Sequence, residues 1–321
     1  MTTKLTKNIQ QWQAQGQIAR LAGHDIFYHD NGVKHSDAIV LLHGFPSSSY
    51  DWHLVLPLLG EEKRIICLDF LGFGLSDKPK NHSYSLMEQA DFMELLLKKL
   101  GIKRAKIIAH DMGTSVTCEL LARRERQLLG FNIQSVLLMN GSVYIDLAQL
   151  TPSQKLLRSP LAEVFAKISL KPIFMLQLKK ILAQPVSKAE LNAMWSLLNY
   201  KDGKARLAQT IAYIDERYRF AHRWLPPLTR LDIPVLILWG KLDPVAIDAI
   251  AEKLAREIPT AKLQWLYHVG HYPQLEDPAA VAERGIGATF SQEAPWRRGS
   301  FAESPASRLL QGGVVGAVHL R

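Results

Sequence analysis

The chain has 321 residues, of which 47% are hydrophobic and 21% charged, the balance of an ordinary globular protein. This composition excludes disordered, collagen-like and coiled-coil chains. The net charge of +9 would suit an anionic partner, but residues 141–226 alone carry 13 basic and 6 acidic residues, interleaved with Leu and Ile at helical spacing. We interpret that charge as a solvated helical face and expect no nucleic-acid partner.

Two features indicate the cellular compartment. Cys67 and Cys118 lie inside apolar segments and give no disulfide framework. The first residues contain neither an apolar core nor a small-residue cleavage site, so we expect no secretory signal. No run reaches the ~18 apolar residues of a spanning helix. We therefore expect a soluble, cytoplasmic protein without a membrane span.

After a polar N-terminal arm, strands and helices alternate along the chain. The predicted strands are residues 17–22, 25–29, 38–42, 64–69, 105–109, 132–139, 234–239 and 262–267. The predicted helices are residues 52–59, 85–100, 112–129, 246–257 and one that begins at 278. The first two strands form an antiparallel hairpin, and the alternation that follows predicts a mostly parallel sheet with helices on both faces.

One segment interrupts this alternation. In residues 141–226 the apolar positions recur at spacings of three and four, and prolines punctuate the segment, which predicts a helical cap inserted into the core. The core then comprises residues 1–140 and 227–290. Residues 291–321 are rich in Ser, Pro, Gly and Arg without periodicity, so we expect a poorly ordered tail.

A nucleophile elbow is predicted between the strand at 105–109 and the helix that follows it. The sequence Ala109-His110-Asp111-Met112-Gly113 places small residues two before and two after a central aspartate, as this sharp turn requires. A carboxylate there can attack an sp³ carbon that bears a leaving group, and the product is an ester. The alternative is that Asp111 only caps the helix.

An acid and a histidine follow in the chain order expected for such an elbow. Asp243 comes after the strand at 234–239, and His271 lies in the loop after the strand at 262–267. His271 would activate the water that hydrolyses the ester, and Asp243 would orient its imidazole. His268 is the competing histidine, but its position directly after the strand favours a structural hydrogen bond.

The loop at residues 43–46, with the sequence HGFP, follows the third strand, where oxyanion loops lie. Backbone N–H groups of Phe45 and Met112 would bind the negative oxygen that forms during ester hydrolysis. His43 is a candidate for the substrate pocket, or it braces the loop. Trp52 is a second candidate for the pocket, or it fills the core.

These segments together resemble α/β-hydrolases of the epoxide hydrolase and haloalkane dehalogenase group. The motifs that carry the resemblance are residues 43–46, 69–79, 109–113 and 270–273. Within the group, residues 70–79 and 271–278 are similar to the mesoderm-specific transcript branch. The similarity covers about residues 15–290. It implies the α/β-hydrolase fold, with an eight-stranded sheet and a helical cap, and an aspartate nucleophile. No metal or organic cofactor is implied.

The chain departs from this group at two positions whose side chains bind the leaving halide in dehalogenases. Epoxide hydrolases and dehalogenases of this group both usually carry Trp after the nucleophile, where this chain has Met112. In dehalogenases the indole N–H of that Trp binds the halide. Their second halide ligand is often Asn at the position of Phe45. Neither side chain offers a donor, which counts against a dehalogenase.

Epoxide hydrolases of this group use cap tyrosines to donate a proton to the epoxide oxygen. The cap here contains Tyr144, Tyr200, Tyr213 and Tyr218. Tyr218 loosely matches the second cap tyrosine of the family, and Tyr213 is its rival. Packing alone is the alternative for either residue.

The favoured hypothesis is an epoxide hydrolase that acts with water on a small apolar substrate through an ester on the aspartate and gives a vicinal diol. A haloalkane dehalogenase with an atypical halide site is the first alternative. A non-catalytic or ligand-sensing protein of the same fold is the second. The sequence leaves the oligomeric state open between a monomer and a homodimer.

Overall fold

A single eight-stranded sheet forms the centre of the described chain, which in this computed structural model comprises residues 4–168 and 170–290. Its strands are β1 (Gln17–Leu21), β2 (His24–Asp30), β3 (Asp37–Leu42), β4 (Arg64–Leu68), β5 (Arg104–His110), β6 (Asn132–Met139), β7 (Val235–Gly240) and β8 (Ala261–Leu266). They lie in the order β1-β2-β4-β3-β5-β6-β7-β8. β2 is antiparallel to β1 and β4, and the other neighbours are parallel. The predicted sheet and its initial hairpin are confirmed.

Helices cover both faces of this sheet. They are α1 (Lys7–Gln15), α2 (Leu86–Lys99), α3 (Met112–Glu125), α4 (Pro152–Leu157), α5 (Ala162–Ile168), α6 (Lys171–Ile181), α7 (Lys188–Asn199), α8 (Leu207–Thr210), α9 (Tyr213–Arg219), α10 (Ala221–Leu228), α11 (Asp248–Glu257), α12 (Pro273–Glu276) and α13 (Pro278–Phe290). Because side chains alternate along a strand, Val40 and Leu42 of β3 pack with α2, α3 and α11, whereas Ile39 and Leu41 pack with α1 and α13. Among the described residues, none of these helices is long and apolar enough to cross a membrane.

Seven helices, α4 to α10, lie between β6 and β7, where the helical insertion is predicted. Pro152 begins α4 and Pro172 lies in the first turn of α6, positions where the missing N–H of proline costs nothing. α10 ends at Leu228, beyond the predicted boundary, and the chain up to residue 290 forms one compact unit. The division into core and cap therefore stays a prediction. The predicted tail at 291–321 lies outside the described residues.

The N-terminal segment corrects one prediction. The residues predicted as a polar arm form helix α1, whose buried Ile9 and Trp12 pack in the same hydrophobic cluster as Phe27. Only these two apolar side chains of α1 are buried. Such a sparse apolar pattern is too weak to indicate a helix from the sequence alone.

A second correction concerns residues 52–59, for which one helix is predicted. Two short 3₁₀ turns, Ser49–Trp52 and Leu56–Leu58, occupy this region instead. Pro57 has no N–H with which to continue an α-helical ladder. The N–H of Ser49 bonds at 2.7 Å to the carboxylate of Asp69, a side chain from the loop after β4. Such long-range acceptors are invisible to a local sequence pattern.

A buried carboxylate joins α3 to α10, the last helix of the insertion. The side chain of Glu119 is fully buried and accepts hydrogen bonds from Arg123 at 2.8 Å, from Arg223 at 2.7 Å and from the indole N–H of Trp224 at 2.8 Å. Burial favours the protonated acid, but these donors outweigh it and hold the pKa of Glu119 below its ordinary value. The charged carboxylate therefore anchors the chain where it returns from the insertion to the core.

We predict that Glu119→Gln lowers the free energy of unfolding by roughly 3 kcal/mol, because it removes the carboxylate that pairs with partly buried Arg223, whereas Arg123 keeps its pairs with Asp91 and Glu94. The value lies at the low end of the usual range because Arg123 and Arg223 keep some contact with solvent. Urea unfolding measures the change. Glu125→Gln is the matched control, since Glu125 pairs with Arg230 on the surface, and it should cost about 1 kcal/mol or less. Equal losses in the two variants would contradict the prediction.

Candidate active site

The carboxyl ends of the parallel strands bring the predicted site residues together at one edge of the sheet. Asp111 follows β5 directly, and Asp243 lies three residues after β7. His271 lies in the loop after β8, and the loop at 43–46 follows β3. Ligand sites in open α/β sheets form at this edge because the loops after the strands converge there.

Asp111 lies in the strained turn expected of a nucleophile elbow. Its backbone has φ 43° and ψ −110°, a conformation that is costly for a residue with a side chain. A Cβ atom on Gly113 would lie 2.7 Å from the carbonyl oxygen of Leu42, and one on Gly44 would lie 2.7 Å from Cβ of Asp111. These close approaches explain why small residues flank the aspartate.

The Asp111 side chain is oriented towards the predicted oxyanion loop. Its Oδ2 accepts a hydrogen bond of 2.8 Å from the backbone N–H of Phe45. Met112 is the first residue of α3, where N–H groups have no acceptor within the helix. The Asp111 side chain makes no capping hydrogen bond to that helix. The helix-cap alternative is therefore wrong for this residue.

His271 and Asp243 form a buried hydrogen-bonded pair, with 2.7 Å between Nδ1 and Oδ2. The Oδ1 atom of Asp243 accepts from the N–H groups of Val245 at 2.7 Å and Ala246 at 3.1 Å. The side-chain amide of Asn140, directly after β6, donates to Oδ2 at 2.8 Å. These donors fix the orientation of Asp243, which places the proton of a neutral His271 on Nδ1. The sequence analysis missed Asn140.

The electrostatic surroundings of His271 couple it to both aspartates. Burial alone would lower the pKa of the imidazole, but the charge of Asp243, its hydrogen bond and the charge of Asp111 raise it to about 9. The imidazole is thus mostly protonated at neutral pH. Neutralising Asp111 would remove part of that stabilisation and favour the free base.

Buried His110 holds the loop that carries His271. Its Nε2–H donates to the carbonyl oxygen of His271 at 2.7 Å, and its Nδ1 accepts from the amide of Gln274 at 3.0 Å. Burial lowers the pKa of His110 to about 4, so this ring stays neutral. Glu276 accepts hydrogen bonds from two backbone N–H groups of the same loop, each at 2.9 Å. The competing His268 is exposed and lies away from the buried pair.

His43 and Trp52 have structural positions. Nε2 of His43 accepts from the N–H of Phe70 at 3.0 Å, and its Nδ1 lies 2.8 Å from the carbonyl oxygen of Gly44, so the ring braces the loop. Trp52 is fully buried in the hydrophobic cluster that contains α1 and α13. Neither side chain lines the cavity described below. The prediction that they belong to the substrate pocket is corrected accordingly.

The two candidate tyrosines have opposite surroundings. Tyr213 begins α9, is 2% exposed, and its ring lies 5.5 Å from that of Phe45. Burial and the nearby charge of Asp111 both raise the pKa of its hydroxyl, which places that hydroxyl in the electrostatic field of the carboxylate. Tyr218 is 46% exposed and its ring lies beside the guanidinium of Arg158. Tyr213 is thus buried near Phe45, although, like Asp111, it does not line the cavity described below, whereas Tyr218 lies at the surface.

Arg217, which the sequence analysis did not select, lies beside Asp111. Its Nη2 is 3.6 Å from Oδ1 of Asp111, and its Nε donates to the hydroxyl of Ser115 at 2.7 Å. The residue is 3% exposed. The interpretation of the insertion's basic residues as a solvated face is therefore wrong at this position. The only sequence signal is its spacing, four residues after Tyr213 on the same helix face.

A cavity of about 90 Å³ lies against His271 and Phe45. Most of its lining is apolar and comes from the insertion, and a few polar groups are interspersed. The apolar insertion residues that line it are Leu157, Phe165, Phe174, Leu178, Ile181, Leu198 and Leu207, and the polar ones are Thr151, Ser153, Gln154 and Gln177. Such a lining suits a small, mainly apolar ligand.

A family model for the alpha/beta hydrolase fold matches residues 37–278, a segment that includes the elbow, the acid and the histidine. The chain belongs to the α/β-hydrolase fold family. The resemblance inferred from the motifs is thereby confirmed, and the chain is assigned as a hydrolase of this fold. Family membership leaves the substrate undetermined.

The similarity to known sequences and structures extends over most of the chain. "Putative hydrolase LipZ" of Mycobacterium tuberculosis is 40% identical over 281 residues, 87% of this chain and 97% of the relative. The mesoderm-specific transcript homolog protein of Homo sapiens is 36% identical over 296 residues, 88% of each chain. The crystal structure of haloalkane dehalogenase DbeA from Bradyrhizobium elkani superposes with a TM-score of 0.73 at 21% identity, covering 85% of this chain and 96% of that one. The last likeness concerns the fold alone.

We predict that His271 titrates near pH 9 in the free protein and that Asp243→Asn lowers this value by about 1–3 pH units, because burial then dominates. NMR of isotopically labelled imidazoles would follow the titration. His110 and His43, with pKa values lowered to about 4 and about 3, are internal controls that stay neutral above pH 6. Titration of His271 at its ordinary value of 6.5 in both proteins would refute the coupling.

Proposed function

We propose that this protein opens small, mainly apolar epoxides through an ester on Asp111 and releases a vicinal diol. The observation that carries the proposal is the buried Tyr213, whose ring packs on the same Arg217 that pairs with Asp111, at a site where the side chains of Phe45 and Met112 offer no donor for a halide. An epoxide oxygen needs a proton as the ring opens, and a tyrosine hydroxyl can supply it.

In the first step, Oδ1 of Asp111 would attack a ring carbon, since Oδ2 is engaged by the N–H of Phe45. The carbon–oxygen bond of the ring breaks, and the ring oxygen takes the proton of Tyr213. The products are a hydroxyalkyl ester on Asp111 and a tyrosinate. The aspartate suits this role because a carboxylate can displace a leaving group from an sp³ carbon, a reaction that requires no carbonyl group in the substrate.

In the second step, His271 would take a proton from water, and the hydroxide would add to the ester carbonyl. Esterification removes the charge of Asp111, and the loss of that charge favours the free-base imidazole required here. The resulting oxyanion would form on Oδ2, within reach of the N–H of Phe45 and near the start of α3 at Met112. As this intermediate collapses, protonated His271 gives its proton to the leaving alkoxide, which releases the diol. The carboxylic acid left on Asp111 then returns its proton to the Tyr213 tyrosinate, which regenerates the starting site.

We predict that His271→Gln accumulates the ester, because loss of a positioned general base slows its hydrolysis by ~10²–10⁴-fold. Intact-mass and peptide mass spectrometry after incubation with styrene oxide should show the mass of one substrate on the peptide that contains Asp111. Asp111→Asn is the control and should gain no mass, because an amide is a poor nucleophile.

Each other outcome of this experiment has a defined meaning. An adduct on Ser115 or on a cysteine would refute the aspartate mechanism. An Asp111 adduct from a bromoalkane, with bromide release and no diol from styrene oxide, would support the haloalkane dehalogenase alternative. The absence of any adduct across a panel of epoxides and haloalkanes would favour a ligand-sensing protein.

We predict that Tyr213→Phe lowers kcat for epoxide hydrolysis by ~10²–10⁴-fold, because the ring oxygen then leaves without a proton donor. Steady-state diol formation measures the effect. Tyr218→Phe is the matched control on the same helix, and it should change kcat less than about twofold because surface substitutions away from the site are nearly neutral. A larger loss in Tyr218→Phe than in Tyr213→Phe would reverse the assignment.

A further inference from the structure

Ring opening, as proposed above, moves a negative charge between two buried groups. The charge lies first on the carboxylate of Asp111, which is 4% exposed, and then on the oxygen of Tyr213, which is 2% exposed. An uncompensated charge in such surroundings is costly, because little water remains to solvate it. A cation that serves both positions would therefore lower the barrier more than one that serves only the carboxylate.

Arg217 lies where it can serve both. Its Nη2 is 3.6 Å from Oδ1 of Asp111, and its guanidinium carbon is 4.6 Å from the centroid of the Tyr213 ring. Two further contacts hold it in place from the side of α3: Nε donates to Ser115 Oγ at 2.7 Å, and Nη2 donates to the main-chain oxygen of Asp111 at 3.2 Å. Its position therefore does not depend on the charge of the Asp111 carboxylate alone.

We propose that Arg217 is the counter-ion for the negative charge as that charge moves from Asp111 to Tyr213 during ring opening. The inference rests on the proposed function. As the Asp111 Oδ1–carbon bond forms and the ring C–O bond breaks, the Tyr213 proton goes to the ring oxygen. The net charge of Asp111, Tyr213 and Arg217 is zero before and after this step. A guanidinium suits the role because it keeps its charge in proteins.

The electrostatics around Tyr213 are consistent with this assignment. Burial raises the pKa of its hydroxyl, the charge of Asp111 raises it further, and Arg217 lowers it. Tyr213 in turn contributes to the raised pKa of neighbouring Tyr272. Once Asp111 is esterified, its opposing charge is gone and the influence of Arg217 remains. Tyr213 thus becomes a stronger acid during the step in which it must release its proton.

The test isolates the first step by using the full chain with His271→Gln, in which the ester accumulates. The rate of adduct formation on Asp111 with styrene oxide is measured by mass spectrometry in three further variants. Arg217→Gln removes the charge and keeps a polar side chain for Ser115. Arg217→Lys keeps the charge. Arg219→Gln is the control, because this exposed arginine lies two residues further along the same helix.

We expect Arg217→Gln to form the adduct at least about 100-fold more slowly, because a buried charge is left unpaired. Arg217→Lys should form the adduct at least about tenfold faster than Arg217→Gln, since a lysine restores the positive charge but lacks the planar guanidinium. Arg219→Gln should stay within about twofold of its parent. A merely structural role would give similar losses in Arg217→Gln and Arg217→Lys, because a lysine would disturb the packed Ser115 contact as much as a glutamine does.

A spectroscopic measurement provides a second readout. In the trapped ester, tyrosinate absorbance near 295 nm should appear at a lower pH than in the free protein. In the Arg217→Gln ester this tyrosinate should appear at a higher pH than in the ester of its parent, because the lowering influence of Arg217 is then missing. A Tyr213→Phe control should lack it. Thermal unfolding checks that each variant is folded. If Arg217→Gln does not fold, Arg217→Lys decides, and a loss above 100-fold in that variant contradicts the proposal.

The two proposals fail differently. The absence of an Asp111 adduct in the His271→Gln parent overturns both. An adduct that forms in Arg217→Gln as fast as in the parent leaves the epoxide mechanism intact and overturns only the role of Arg217. A tyrosinate that appears at the same pH in the esters with and without Arg217 does the same.

Discussion

The neutralisation of buried charge is the constraint on which the rest of this structure depends. Asp111 and Asp243 are both buried at the carboxyl ends of the strands, where little solvent reaches them. Asp243 is compensated by His271 and by backbone donors, and Asp111 by Arg217 and by the N–H of Phe45. Buried carboxylates persist only with such partners. The site is therefore two ion pairs, and a change in the charge of one pair alters the proton affinity of the other.

This constraint also explains how the insertion and the sheet cooperate. Arg217 comes from the insertion, while Asp111 comes from the sheet, so the nucleophile is compensated only where the two regions meet. The loop that carries His271 also contacts the insertion, because the backbone N–H of His271 donates to the carbonyl oxygen of Ile181 at 2.9 Å. Glu276 extends this connection, accepting from the N–H groups of Ala183 and Gln184. Movement of the insertion would thus affect both catalytic pairs at once.

Much of the fold follows from local patterns. Continuous apolar runs predict the central strands because both faces of a parallel sheet are buried, and the observed bounds differ by only one or two residues at most ends. The prediction fails where the deciding contact is distant. Helix α1 depends on two side chains packed in a cluster with Phe27, and the turn at Ser49 depends on the carboxylate of Asp69. Neither contact leaves a periodic signal in the sequence.

The sequence by itself determined the elements of the site that short motifs encode. Asp111, Asp243 and His271 stand in a fixed chain order after strands, because the geometry of the elbow and of the sheet edge requires it. Only the tertiary structure distinguished buried Tyr213 from exposed Tyr218, and only it placed Arg217 against Asp111. The physical reason is that such contacts join residues about one hundred positions apart. Burial, charge compensation and distance between them arise when the insertion packs on the sheet, and no local spacing records them.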